Sequence, residues 1–298
     1  MNEILKYFSA NIRNILQNEE FLDIEEIRLR VNKPIILKRN TCEKIINYNV
    51  NIEDILQTLE LICDNSIYSF QNQICNGFIT ICGGHRVGIV GTAVMENEKV
   101  VNINYISNLN FRIAREVIGC SNILIKHIVD KEISNTLIVS PPGGGKTTIL
   151  RDLVRNISNN GKTVGVVDER GEIAAMYKGI AQNNLGIRTD IIENIPKQIG
   201  IKMLVRSMTP DVVVADEIGN FGDVQAIKTA ICLGVKGIFT AHGNSLNDIK
   251  VNPELNKLFN EKIIEKIVFL KNKKIEKILV LKKETYEYNL IEGDKLWY

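Results

Sequence analysis

Apolar positions recur with two different periods along this chain, and the change of period divides it. Over Glu3 to Gln17, and again over Ile52 to Cys63, apolar residues return every three or four positions, which predicts amphipathic helices. Between them, Ile24 to Val31 and Pro34 to Lys38 alternate apolar with polar residues, predicting strands with one covered face. Two strand-like runs within Gly77 to Gly91 flank Gly83-Gly84, the pattern of a hairpin with backbone at close approach. Asn110 to Glu116 keeps the sheet character, and Val117 to Asp130 reads as a connector with a short helix.

From Asn135 the alternation gives way to short continuous apolar runs: Thr136 to Val139, Thr163 to Val167, Asp211 to Ala215 and Gly237 to Thr240. Runs of this kind suit strands buried on both faces of a mostly parallel sheet. Helical stretches are expected between them at Thr147 to Ser158, Glu172 to Tyr177, Pro196 to Met208 and Phe221 to Leu233. Ile263 to Leu270 and Ile275 to Leu281, separated by Lys271-Asn272-Lys273-Lys274, predict an antiparallel hairpin. The expected organisation is an N-terminal mixed α/β domain over 1–117, a linker over 118–134, and a second α/β domain over 135–298 that ends in the hairpin. There is no internal repeat.

Composition changes this picture little. A chain of 298 residues, 45% hydrophobic, has room for two ordinary domains with their own cores. No apolar run approaches the roughly 20 residues that cross a bilayer, and Met1-Asn2-Glu3-Ile4 lacks the plan of a signal peptide, so a cytosolic chain is expected. A net charge of +2 supplies no argument for nucleic acid as an obligatory partner. The six cysteines contain no C-x-x-C pair, which points to reduced thiols rather than zinc or disulfides. For the basic stretch Lys271 to Lys274, with Lys282 and Lys283, two readings stay open: a solvated hairpin, or a face toward anionic lipid or nucleic acid. No aromatic residue interleaves with the lysines of its turn, which weakens a stacking platform for single strands.

The chemistry is concentrated in Ser140-Pro141-Pro142-Gly143-Gly144-Gly145-Lys146-Thr147-Thr148, where an expected strand enters a Pro/Gly loop and then a helix. That is the setting of a phosphate-binding loop. Pro142 to Thr148 would cradle the phosphates of ATP: glycine N–H groups curl round the β-phosphate, Lys146 reaches the β- and γ-phosphates, and the Thr147 hydroxyl meets Mg²⁺. The strict pattern has glycine where this chain has Ser140. A P-loop hydrolase also needs carboxylates at neighbouring strand ends. Asp216 is placed to hold the Mg²⁺ shell and Glu217 to polarise the attacking water. Asp168 and Glu169 close another strand and are expected to support water and metal, although charged residues also close strands with no such role. His242 follows a strand and is either a γ-phosphate sensor or an ordinary loop histidine.

In order, these residues resemble the type II and type IV secretion ATPase superfamily. Lys146 and Thr147 match its phosphate loop, Asp168 and Glu169 its acidic box, Arg206 with Pro210-Asp211 and Glu217 its Walker B region, and Thr240-Ala241-His242 its histidine box. Asp216 departs from the usual glycine, and the histidine box is shortened to a single His242. Glu26 to Arg30, Gly84-His85-Arg86-Val87-Gly88, Asn110 to Ala114 and Asp168 to Ile173 resemble more closely a small sporulation branch of that superfamily, over about residues 20 to 245. The resemblance implies an α/β fold with a RecA-like P-loop domain behind a smaller N-terminal domain, and ATP and Mg²⁺ as cofactors. It implies a homo-hexameric motor in the mother cell, peripheral to the membrane through membrane-embedded sporulation channel proteins. It further implies that N-terminal arginines reach the phosphates, with Arg86, Arg112 and Arg115 as candidates; solvated arginines on strands remain the alternative. A nucleic-acid-stimulated ATPase and a nucleotide-bound assembly scaffold also stay open.

Overall fold

The computed structural model describes residues 2–21, 23–40, 42–129, 132–282, 285 and 287–292. Asp130, the last residue of the expected connector, and Lys283, the last of the basic stretch, lie outside the described residues. The chain separates into two units. The first is Met1–Arg115 together with Ala175–Gln182, and the second is Glu116–Ala174 together with Asn183–Tyr298.

The first unit contains α1 (Ala10–Leu16), β1 (Ile24–Arg30), β2 (Pro34–Arg39), β3 (Glu43–Asn49), α2 (Ile52–Ile62), α3 (Gln71–Cys75), β4 (Phe78–Thr80), β5 (Arg86–Glu96) and β6 (Lys99–Arg112). Its sheet has the order β3-β2-β1-β6-β5-β4, with every neighbouring pair antiparallel. One face is covered: Ile27 and Leu29 of β1, Val87 and Ile89 of β5, and Leu109 and Phe111 of β6 are buried with Phe8, Ile12 and Ile55. The helix expected over Glu3 to Gln17 is instead a 3-10 turn (Asn2–Tyr7) followed by α1. The break falls at Ser9, whose hydroxyl caps Ile12 N–H and donates to Asp54 Oδ1 at 2.7 Å while Phe8 enters the core. Asp54 also completes the capping box of α2 with Asn51.

The eight residues Ala175–Gln182 return to this first unit from the middle of the second. Tyr177 donates to Asp64 Oδ2 at 3.2 Å, Lys178 pairs with the same carboxylate, and Gly83 N–H donates to Gln182 Oε1 at 2.8 Å. No helix forms over Glu172 to Tyr177, contrary to the sequence expectation. Gly171 (φ 63°) and Ala175 (φ 49°) are both left-handed, and the intervening N–H groups turn toward Asp168 rather than to carbonyls four residues back.

The second unit comprises α4 (Asn122–Ile128), β7 (Thr136–Ser140), α5 (Lys146–Asn159), β8 (Val164–Asp168), β9 (Thr189–Glu193), α6 (Lys197–Ser207), β10 (Val212–Ala215), α7 (Phe221–Cys232), β11 (Lys236–His242), α8 (Leu246–Val251), α9 (Pro253–Asn260), β12 (Lys266–Lys271), β13 (Lys274–Leu281) and β14 (Tyr288–Glu292). The sheet order is β14-β13-β12-β7-β11-β10-β8-β9. From β12 to β9 the strands are parallel, and β13 and β14 add an antiparallel edge. Residues of β7, β8 and β10 are all buried, as a sheet covered on both faces requires. The short helix expected within the connector is α4, and the residues just before it are fastened to α5. The buried Asp152 carboxylate accepts from Gly119 N–H at 3.0 Å and from Ser121 N–H and Oγ at 2.8 Å. Among the described residues, no helix is long and apolar enough to cross a membrane.

Candidate functional site

Parallel strands bring the loops after β7, β8, β10 and β11 to one rim of the second sheet, the place where open α/β sheets bind ligands. The loop between β7 and α5 is shaped by its glycines. Gly143 (φ 72°) and Gly145 (φ 93°) are left-handed, and a Cβ on Gly144 would lie 2.5 Å from Ser140 Oγ and 3.0 Å from the Pro141 carbonyl oxygen. Ser140, which stands where the strict motif has glycine, is buried, and its hydroxyl donates to the Pro141 carbonyl at 2.8 Å. The departure is thus absorbed inside the loop. α5 begins at Lys146 with no side-chain cap, so its first N–H groups are left to whatever anion the loop holds. Pro142 is exposed on the loop, and Thr148 lies in the first turn of α5, its carbonyl accepting from the Cys120 thiol at 3.7 Å.

Across the rim, Thr147 Oγ1 donates to Asp216 Oδ2 at 2.8 Å, and Thr240 Oγ1 donates to Asp216 Oδ1. The Thr240 hydroxyl in turn accepts from Glu217 N–H at 2.8 Å. Glu217 has φ 53°, a left-handed conformation that costs a non-glycine residue of the order of 1–3 kcal/mol. This hydroxyl helps to hold it there. The Glu217 carboxylate meets His242 Nε2 at 2.7 Å and Arg170 Nη1 at 2.7 Å. His242 Nδ1 is 3.1 Å from Lys146 Nζ, which also donates to the Ser140 carbonyl at 3.4 Å. An ammonium only donates, so Nδ1 accepts and the ring proton resides on Nε2, directed at Glu217. One imidazole therefore bridges the phosphate-loop lysine and the strand-end glutamate. Burial holds the Lys146 ammonium pKa below the usual lysine value, while Asp216, Glu217 and Glu172 act in the opposite direction.

The second acidic pair is used differently. Asp168 is buried, and both its oxygens accept from backbone: Oδ1 from Glu172 N–H at 2.7 Å, Oδ2 from Ile173 and Ala174 N–H at 2.9 and 2.8 Å. These bonds make it the anchor of its own loop, and its expected role beside water and metal is a separate proposal. Glu169 pairs with the ammonium of Lys197, from α6. Asp168, Glu169, Arg170, Glu172, Lys197, Asp216 and Glu217 line a narrow cleft at this rim.

Among the described residues, no three His, Cys, Asp or Glu side chains gather into a metal cage. The Thr147 hydroxyl with the Asp216 carboxylate fits Mg²⁺ instead, because that ion is commonly held by one or two protein oxygens together with phosphates and water.

Arg86, Arg112 and Arg115 belong to the first unit. Arg86 and Arg112 are direct cross-strand partners on β5 and β6, and the Arg86 guanidinium stands over the Phe78 ring at 4.7 Å. Arg115 donates to the Ile24 carbonyl at 3.0 Å. Sequence reasoning missed the parts played by Arg170, Thr240 and Lys197. Thr240 was visible as a hydroxyl at the end of an apolar run, two residues before His242, but its bonds depend on the pairing of β10 with β11.

The family model described as Sporulation stage III, protein AA matches residues 1–284. Stage III sporulation protein AA of Bacillus subtilis (strain 168) is 37% identical over 283 residues, covering 92% of each chain. Among solved structures, the ATPase DotB of Legionella pneumophila aligns with a TM-score of 0.61 at 13% identity, over 93% of this chain and 82% of that one. The pilus retraction motor PilT, solved with bound ADP, aligns with a TM-score of 0.62 at 14% identity, over 94% and 82%. At these identities the likeness establishes the fold: a RecA-like P-loop domain with a smaller N-terminal domain, as in the secretion ATPases.

Proposed function

The chain belongs to the Sporulation stage III, protein AA family, and from that premise we propose that it is a Mg²⁺-dependent ATP hydrolase acting as a ring-forming motor. The observation that carries the reading is the bridge from Lys146 through His242 to Glu217, closed by Asp216 on Thr147. A P-loop hydrolase must bring these groups to one triphosphate, and they already stand within hydrogen-bond reach of one another.

In this reading the loop 143–145 and the first turn of α5 bind the β-phosphate, and Lys146 exchanges its bond to His242 for phosphate oxygens. Thr147 and Asp216 would hold Mg²⁺, which supplies charge neutralisation on the transferred phosphoryl group. Glu217 orients the attacking water and accepts its proton, and its left-handed backbone, tied to Thr240, aims it. His242 reports whether Lys146 is occupied, because its ring can turn to the γ-phosphate only when Lys146 releases it. Asp168 fixes the loop that carries Glu169 and Arg170 to the same rim. An arginine from Arg86, Arg112 or Arg115 would complete the charge around the phosphates in the ring. Membership of a sporulation family supports a motor at work in sporulating cells, where it energises assembly or transport by a membrane channel between mother cell and forespore.

The test is turnover of ATP by the purified chain with Mg²⁺ and with a chelator, alongside Lys146→Ala. Mg²⁺-dependent phosphate release, lost in that variant together with nucleotide binding, is expected. Release that survives both treatments would overturn the assignment.

A further inference from the structure

The basic turn between β12 and β13 is exposed, and one of its lysines lies against the phosphate loop. β12 pairs in parallel with β7 up to Phe269 beside Val139, then continues to Lys271. The chain reverses through Asn272 (φ 51°) and Lys273 (φ 61°), two successive left-handed residues that form a tight hairpin turn. Such a turn allows little freedom in where its second residue points. A Cβ built on Gly145 would lie 3.5 Å from Lys273 Cα and 3.7 Å from both its Cβ and Cγ. The stem of Lys273 therefore lies against the residue that precedes α5, and its ammonium is three bonds beyond the placed Cγ, within reach of the loop.

Charge gives the arrangement its direction. Three of the four residues at the tip are lysines, and Lys271 pairs with the Glu276 carboxylate at 3.7 Å. Like charges packed this closely repel one another, and a polyanion beside them relieves the repulsion. The start of a fourteen-residue helix adds its own partial positive charge at the same place.

We propose that Lys273 is a second phosphate-binding cation of the nucleotide site, contacting the polyphosphate of a nucleoside di- or triphosphate from the side opposite Lys146. This rests on the reading of the P-loop as a nucleotide site. The hairpin then serves as the outer wall of that site, and the same lysine senses how many phosphates the nucleotide carries.

The experiment titrates a fluorescent ATP analogue, and competing ADP and AMP, into the full chain and its variants Lys273→Ala, Lys273→Glu, Lys146→Ala and Lys282→Glu. Lys282 follows β13 at the far end of the same hairpin and matches the change in net charge. Lys273→Ala is expected to weaken ATP binding roughly tenfold, the size of one charge-assisted contact, and Lys273→Glu to weaken it further. ADP should lose less, AMP should be unaffected, and Lys282→Glu should bind as the parent does. Parental affinity in both Lys273 variants, or an equal loss in Lys282→Glu, overturns the inference while Lys146→Ala still abolishes binding. Parental affinity in Lys146→Ala overturns the nucleotide site itself, and the inference with it.

Discussion

Two strand ends on the same sheet carry the same dipeptide, Asp168-Glu169 after β8 and Asp216-Glu217 after β10, and the protein uses them in opposite ways. At the first, the aspartate accepts from three backbone N–H groups and the glutamate is tied to Lys197. At the second, the aspartate accepts from the Thr147 and Thr240 hydroxyls, and the glutamate rests on His242 and Arg170. The backbone next to each pair makes the difference. Gly171 turns the chain back so that its amides face Asp168, whereas Glu217 is itself left-handed and its own amide goes to Thr240. The two acidic strand ends thus differ in whether the residues that follow claim the aspartate's oxygens for the backbone.

The contrast can be tested by substitution. Glu217→Gln should lower ATP turnover by about 10²-fold or more and leave nucleotide binding intact, because the residue orients water rather than phosphate. Turnover near the parental rate would erase the distinction between the two pairs. Asp168→Ala should act on stability, since it leaves three buried N–H groups unpaired. A loss of roughly 3 kcal/mol, read as a melting point about 5–10 °C lower, is expected. If that variant melts like the parent yet loses turnover, Asp168 belongs to the chemistry after all. Thr240→Val removes the hydroxyl shared by Asp216 and Glu217 and should reduce turnover roughly tenfold, with a smaller change in nucleotide affinity than in rate. Lys197→Ala disturbs the partly exposed pair with Glu169 and should change stability by about 1 kcal/mol or less by chemical denaturation.

The parts of this molecule that the sequence discloses are those whose physics is local. β7, its glycine loop and α5 occupy one continuous stretch, so pattern, loop and helix start can be read together. Asp216 and Glu217 follow an uninterrupted apolar run and are visible for the same reason. The partners of Arg170, Thr240 and Lys197 are not, because each residue acquires its partner through contacts among β8, β10, β11 and α6, which no spacing along the chain encodes. Edge strands escape too. β3 is largely exposed and β9 is half-buried throughout, so neither shows the alternation of a half-covered strand or the apolar run of a central one. The hairpin of β5 and β6 turns at Asn97-Glu98, both with positive φ, without the glycine that usually marks such a turn. Lys271, Asn272 and Lys273 are exposed, as the solvated-hairpin reading expects, but the register of β12 on β7 also sets Lys273 against Gly145, a placement that spacing along the chain does not encode.

The eight residues Ala175–Gln182 have a bearing on how the gene can be dissected. A fragment ending at Arg115 would leave Asp64 without Tyr177 and Lys178, and one starting at Glu116 would carry those two side chains with no acceptor. The two halves are therefore not separable by one cut. Supplying the octapeptide in trans to a 1–115 fragment, or replacing it by a short glycine bridge in a 116–298 fragment, restores to each piece what the severed chain would take away.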